Sequence, residues 1–224
     1  MSRIIAAIFA HPDDEVLGCG AALAKHVDDG DSVHILILAT GLAARGNADA
    51  EIIEELRCNA RASANVLGAA SIEFSDFPDN EMDTVSLLSI VARAEEFTAA
   101  IGPGLVYTHH GGDLNIDHRI THQAVTTACR PLPGAPPLEI RACEVNSSTD
   151  WATSPLAPFE PNVFEPVELT LERKVAALCC YESELRDWPH PRSVEGVRAL
   201  ARWRGAQCGQ EAAEAFSLIR KVAP

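Results

Sequence analysis

Short apolar runs alternate along the chain with alanine-rich stretches of helical period. Five runs have the length and residue content of strands, and they cover residues 3–10, 32–40, 71–78, 104–110 and 138–146. Strands that are buried on both faces of a parallel sheet need no alternation of polar and apolar residues. The order of strand and helix therefore predicts an α/β fold, with helices on both faces of a mostly parallel sheet.

Helical periodicity is clearest between these runs and after the last of them. It predicts helices over residues 17–30, 49–68, 86–101, 117–130, 169–187 and 194–221. The pattern is lost over residues 147–166, which are rich in proline. We expect an irregular segment there that lies over the sheet, and long segments of this kind are often functional.

Length and composition narrow the class of protein. A chain of 224 residues suits one α/β domain, and we predict a single domain over residues 1–224. The 18 Lys and Arg against 32 Asp and Glu give a formal net charge of -14, which would repel nucleic acid. The first apolar run is short and breaks into charged residues, so we expect a cytoplasmic protein with no signal peptide or membrane span. Seven cysteines without a C-x-x-C pair predict reduced thiols.

Polar residues collect where the predicted strands end. The segment HPDDE at 11–15 follows the first strand, Thr40 and Gly41 follow the second, residues 76–80 the third and residues 109–118 the fourth. In a doubly wound sheet these ends share one rim, where ligands bind. So many titratable groups together would repel one another, and a divalent cation is the simplest compensation.

Residue spacing suggests how the cation is held. His11 and Asp14 are three residues apart, so both can face one point in a turn. Two imidazoles and one carboxylate with an open position are typical of hydrolytic zinc sites and of some iron sites. We expect the second imidazole from His118, at the start of the helix after the fourth strand, with His122 as a spectator one turn later. Asp13 is then placed beside the open position, as a general base.

Simpler explanations compete for several of these residues. Glu15 is equally explained as an acid that favours the first turn of a helix. His109 and His110 are as readily an exposed loop pair. Asp79 and Asn80 in DFPDN are residues that close turns by themselves.

The string AHPDDEVLGCGA, with D-x-N-x-D-H downstream, resembles the PIG-L/LmbE-like family of metal-dependent N-deacetylases over most of the chain. The resemblance implies a Rossmann-like sheet and removal of the N-acetyl group of an amino sugar, usually with zinc. It makes His11, Asp14 and His118 the metal ligands and Asp13 the general base, and it implies a small-molecule substrate and a homo-oligomer. Some relatives hydrate a double bond instead, and a chain with an incomplete metal site would be a sugar- or nucleotide-binding module.

The chain departs from the family pattern in one place. Many relatives read H-P-D-H before the third ligand, whereas this chain reads N-I-D-H, with Asn115 in place of the first histidine. Asparagine donates hydrogen bonds but supplies no proton, so the leaving amine needs another acid: Asp13, His190 or His110.

An arginine after the second strand often lines the family's site, and Arg57 is the nearest match. Further candidate sugar contacts are Ser147, Ser148, Thr149 and Trp151.

Overall fold

One mixed sheet forms the centre of the computed structural model, which describes residues 2–39 and 50–223. Its strands β1 to β7 are Ile4–Phe9, Ser32–Ala39, Ser71–Phe77, Leu105–His109, Glu139–Cys143, Val163–Pro166 and Ala213–Lys221. The order across the sheet is β3-β2-β1-β4-β5-β7-β6. The first five in this order are parallel, and β7 runs antiparallel to both β5 and β6. The predicted Rossmann-like, mostly parallel sheet is confirmed.

Helices cover both faces of this sheet. In chain order, α1 to α6 are Asp14–Asp28, Ala50–Leu67, Leu87–Ile101, Ile116–Ala128, Leu171–Leu178 and Val194–Cys208. Alternate residues of β1 face two separate cores: Ala7 and Phe9 pack with α1, while Ala6 and Ile8 pack with α3. Both faces of β1 are therefore buried, which is why its sequence is uniformly apolar. No helix in the described ranges is long and apolar enough to cross a membrane.

The helix predicted over 194–221 is wrong in its second half. Helix α6 ends at Cys208, where Gly209 takes a left-handed conformation with φ 74°, and residues 213–221 form β7 instead. Alanine and glutamate in EAAEAF favour a helix locally, but the segment fills the place between β5 and β6 and buries Phe216 completely. Tertiary packing here outweighs intrinsic propensity.

Two other predicted elements differ from the structure. The helix expected over 169–187 is only Leu171–Leu178, because the chain then turns to bury the ring of Tyr181. The segment 147–166, expected to be irregular throughout, ends in the four-residue strand β6. A four-residue strand that ends on Pro166 is too short to give a recognisable pattern.

Helix α1 is interrupted close to its start, at Cys19 (φ -152°, ψ 18°). Lys174 Nζ donates to the carbonyl oxygen of Leu17 at 2.8 Å, and the Glu214 carboxylate accepts from the backbone N–H groups of residues 21–22 at 3.2 and 2.7 Å. The buried Lys174 and Glu214 side chains also pair with each other at 2.6 Å. Residues of α5 and β7 thus supply the partners that the interrupted helix lacks.

Candidate metal centre

The candidate site lies beyond the carboxyl ends of β1 and β4, which are neighbours in the sheet. β1 leads into His11 and the start of α1, and β4 is followed by α4, whose first turn carries His118. Between them, Asp13 adopts φ 95°, a left-handed conformation that residues other than glycine rarely take and that clusters at functional sites. Thr40 and Gly41, predicted on the same rim, lie outside the described residues.

Three side-chain atoms meet at one point of this rim. His11 Nδ1 and His118 Nε2 each lie 3.2 Å from Asp14 Oδ2 and 3.3 Å from each other. Ligand atoms about 2.1 Å from a tetrahedral ion stand roughly 3.4 Å apart. The structure therefore brings the three predicted ligands together with the spacing and donor types of a site that could hold a metal ion.

The outward nitrogen of each imidazole meets carboxylates. His11 Nε2 lies 3.0 Å from Asp117 Oδ2 and 3.1 Å from Asp79 Oδ1, and His118 Nδ1 lies 3.1 Å from Asp113 Oδ1. A carboxylate keeps the proton of a neutral imidazole on the nitrogen that it contacts. The inward nitrogens then present lone pairs to the carboxylate between them, an arrangement that a cation stabilises.

The pKa shifts of His11 and Asp14 also favour a bound cation. Burial lowers the pKa of His11, but hydrogen bonds with Asp117 and Asp14 outweigh burial and raise that pKa to about 10. Burial also opposes ionisation of Asp14, yet the positive charge of His118 holds the pKa of Asp14 well below its usual range. Asp14 Oδ1 is buried and has no hydrogen-bond partner among the described residues. A divalent ion would take the place of the protons between the imidazoles and Asp14, so the residues fit a metal.

The carboxylates behind the imidazoles are themselves held. Asp117 accepts the backbone N–H groups of Asn80 at 2.6 Å and of Met82 at 3.0 Å, so the DFPDN segment does more than form a turn. The other outer carboxylate, Asp113, accepts hydrogen bonds from the hydroxyls of two residues in the segment after β5, Ser148 and Thr149. These two residues are also candidate sugar contacts, and their observed hydrogen bonds orient Asp113, the partner of the candidate ligand His118.

Asp13 is buried beside the triangle and pairs with an arginine. Arg192 Nη1 donates to Asp13 Oδ2 at 2.8 Å, and Arg192 Nε donates to Ser147 Oγ at 2.8 Å. Burial raises the pKa of Asp13 to about 7, against the opposing charge of the guanidinium. Sequence reasoning noted the PHPRS segment only for His190 and missed Arg192, because no spacing rule links two residues 179 positions apart.

Glu15 stabilises the turn that contains Asp13. Tyr181 Oη donates to Glu15 Oε1 at 2.6 Å, and Glu15 Oε2 accepts the backbone N–H of Asp13 at 3.1 Å. Burial raises the pKa of Glu15 to about 8, although the hydrogen bond from Tyr181 lowers it. Glu15 therefore fixes the strained backbone of Asp13, which goes beyond the ordinary role of an acid in a first helical turn.

Two further predicted site residues lie at different places. Arg57 pairs with Asp76 at 2.5 Å, on the neighbouring α2–β3 surface. His190 packs edge-on against Trp151, with ring centroids 5.5 Å apart, and its Nδ1 accepts the backbone N–H of Arg192 at 3.1 Å. His190 is thus next to a residue that contacts Asp13, whereas the contacts of Arg57 lie elsewhere.

Three further histidines lie in β4, in α4 and in the loop between them. His109 is fully buried and stacks on His118 with ring centroids 3.8 Å apart, so an exposed loop position is wrong for His109. Burial holds the pKa of His109 well below its usual range, and the ring packs neutral against its neighbour. His122 Nδ1 donates to the backbone oxygen of His109 at 2.8 Å, and His110 Nε2 lies 2.9 Å from the oxygen of Ala157.

Asn115 has both ends of its side chain engaged. It is the N-cap of α4, where its Oδ1 accepts the N–H of Asp117 at 2.8 Å, and its Nδ2 donates to Asn80 Oδ1 at 2.9 Å. The residue at the departure from the family pattern therefore joins two loops of the rim.

We expect Asn115→His to cost about 1 kcal/mol of stability, because an N-cap is lost, and to change turnover by less than about tenfold. Thermal unfolding and steady-state turnover measure the two effects. Asn115→Asp is the matched control, since aspartate also caps helices and keeps the first contact. A loss of turnover beyond about a thousandfold, on the order of 4 kcal/mol, would mean that Asn115 contacts the substrate directly.

One family model and two known proteins resemble this chain in sequence. The family model described as PIG-L, GlcNAc-PI de-N-acetylase, matches residues 6–129. The uncharacterized deacetylase YaiS of Escherichia coli is 31% identical over 185 residues, covering 80% of this chain and 90% of that protein. The 4-oxalmesaconate hydratase of Pseudomonas putida is 26% identical over 219 residues, covering 86% of this chain and 79% of that protein.

A solved structure shares the fold. The N,N′-diacetylchitobiose deacetylase of Pyrococcus horikoshii, in complex with its inhibitor MPG, superposes with a TM-score of 0.76 at 19% identity, over 97% of this chain and 84% of that one. The family match spans more than half of the chain and contains both the HPDDE segment and the string that ends at His118. The chain therefore belongs to the PIG-L, GlcNAc-PI de-N-acetylase, family.

Proposed function

We propose that the protein is a metal-dependent hydrolase that removes the acetyl group from an N-acetylated amino sugar or its conjugate. The observation that carries the proposal is the triangle of His11, Asp14 and His118 with the buried Asp13 beside it. Membership of a de-N-acetylase family and the likeness to YaiS support an amide as the bond that is cleaved. Two nitrogen donors and one carboxylate favour zinc as the ion, with Fe²⁺ as the alternative.

A divalent ion in the triangle would polarise the acetyl carbonyl and lower the pKa of a water molecule. Residues of the chain orient the general base and transfer the protons. Arg192 holds Asp13 through Oδ2, so the carboxylate is oriented to take a proton from the attacking water. As the C–N bond breaks, that proton passes to the leaving amine, and the products are acetate and a free amine. Asp13 is its source because Asn115 has no proton to give, with His190 as the alternative acid.

Metal analysis and amine release test the proposal together. Protein purified without chelator should contain about one zinc or similar divalent ion per chain, and His11→Ala should lose both the ion and the turnover. N-acetylated sugars, nucleotide sugars and thioglycosides are screened for amine release with zinc present. His34→Ala is the control, since His34 lies between Ser32 and Ser71, away from the triangle. Full metal occupancy in His11→Ala would remove His11 from the site.

A second candidate function is hydration of a conjugated double bond, which the likeness to the Pseudomonas putida hydratase favours. The same oriented carboxylate would take the proton from water in that reaction. The two functions separate when acetate release and the disappearance of an enoate are followed side by side. Loss of the enoate without amine release from any N-acetylated sugar would overturn the deacetylase proposal, and binding of sugars without either reaction would indicate a binding module.

A further inference from the structure

A cleft of about 360 Å³ lies between α6 and the loop that follows β5. β5 runs parallel to its neighbour β4, so this loop leaves the sheet on the rim that carries the candidate metal centre. One face of α6, from Gly196 to Trp203, forms one side of the cleft, and the segment 188–191 closes it. Gly196 allows this closure, because a Cβ there would lie 2.5 Å from the backbone oxygen of Pro191.

Exposed tryptophans mark this part of the surface. The three tryptophans of the chain, Trp151, Trp188 and Trp203, are 49%, 61% and 60% exposed. Indole rings are highly buried on average, so three that are each about half exposed or more are unusual. Trp188 and Trp203 both line the cleft, and Trp151 packs against His190 in the adjoining segment.

The cleft also holds a buried polar group that lacks a partner. Asn146 lines the cleft and is only 5% exposed. Its Nδ2 donates to the oxygen of Pro191 at 3.1 Å, and because that carbonyl can only accept, the orientation of the amide is fixed. Asn146 Oδ1 is buried and accepts no hydrogen bond from the described residues. Such acceptors are rare, and a donor bound in the cleft would satisfy this one.

Two chain segments are shared by the cleft and the metal centre. In the first segment, residues 146–149, Asn146 lines the cleft. Ser148 and Thr149 of the same segment donate hydrogen bonds to Asp113, which contacts His118. In the second segment, residues 188–192, Trp188 lines the cleft and Arg192 donates a hydrogen bond to Asp13. The cleft and the candidate metal centre are therefore built in part by the same two chain segments.

We propose that the cleft is a second sugar subsite, which holds the ring attached to the N-acetylated one in an oligosaccharide substrate. The inference rests on the proposed function. The C–H face of a pyranose packs on an indole, while its hydroxyls donate to the Asn146 amide oxygen and to the carboxylate of Asp150, which also lines the cleft. None of the described lining residues is a cation, and the adjacent Arg204 is paired with Glu144 at 2.6 and 2.5 Å, which favours a neutral ring over a phosphate or a nucleotide.

Fluorine NMR of protein labelled with 5-fluorotryptophan tests the subsite without relying on turnover. Its three resonances are assigned with single Trp→Phe variants. Millimolar N,N′-diacetylchitobiose should shift the resonances of Trp188 and Trp203, and N-acetylglucosamine at the same concentration should shift them far less. Equal responses to the two sugars, or none, would overturn the proposal. A dependence of these resonances on protein concentration alone would also overturn it, and would assign the cleft to a contact between copies.

Kinetics then separates the subsite from the reaction. Trp188→Ala and Trp203→Ala should raise KM for the disaccharide about fivefold to tenfold and leave KM for the monosaccharide within about twofold. Leu88→Ala, an exposed apolar residue on α3, is the matched control. If the indoles respond to the disaccharide but the zinc-loaded protein releases no amine, the proposed function fails and the subsite stands. If amine is released and the indoles do not respond, the subsite fails and the function stands.

Discussion

Asp13→Asn should retain the metal and lose a factor of about 10² to 10⁴ in turnover, the range for loss of a general base. Asparagine keeps the size of the side chain and an oxygen that can accept from Arg192, but it cannot take a proton from water. The ion should stay because the triangle is formed by His11, Asp14 and His118. Elemental analysis and amine release at saturating substrate measure the two quantities on the same preparation.

Asp14→Asn is the matched comparison at the adjacent residue. It removes charge from the ligand that both imidazoles face, so it should weaken metal binding, and excess zinc should restore part of the rate. The same excess should not restore Asp13→Asn. Near-normal turnover in Asp13→Asn, or equal loss of metal from the two variants, would show that Asp13 is a ligand or a bystander.

The parallel part of the sheet could be predicted because its strands are buried on both faces and are therefore uniformly apolar. β7 could not, since alanine and glutamate favour a helix there and only pairing with β5 and β6 selects the strand. The buried pair of Lys174 and Glu214 depends on the same placement, because Glu214 reaches the interruption of α1 only from β7. The strand β7 and the buried pair thus depend on the same non-local contacts.

The candidate ligands could be found from sequence for a different reason. His11 and Asp14 lie within one turn, and the rule that parallel strand ends share a rim brings His118 to them. Arg192 had no such signal, because its contact with Asp13 depends on how the segment before α6 packs against the loop after β5. The sequence also pointed to Arg57 for the arginine beside the site, where the structure places Arg192 in contact with Asp13. Local motifs predict the candidate ligands, and packing decides which residues orient them.

His118→Ala should abolish metal binding and turnover, whereas His122→Ala should keep about one ion per chain. The two residues are one turn apart on α4, and sequence spacing alone separates them weakly. In the structure His118 Nε2 lies 3.2 Å from Asp14 Oδ2, while His122 Nδ1 donates to the backbone oxygen of His109. His122→Ala should therefore cost only about 1 kcal/mol of stability, the value of one hydrogen bond, and leave turnover within about tenfold.

Metal content must be compared in folded protein, because His118 also stacks on the buried ring of His109. Circular dichroism and thermal unfolding, each recorded with chelator and with added zinc, separate loss of the ion from loss of the fold. Zinc should raise the unfolding temperature of the unaltered protein and of His122→Ala, since a ligand that binds only the folded state stabilises it. Zinc should leave the unfolding temperature of folded His118→Ala unchanged. In the opposite pattern, zinc would stabilise His118→Ala and not His122→Ala. That result would make His122 the third ligand and would mean that α4 is shifted along its axis by about one turn.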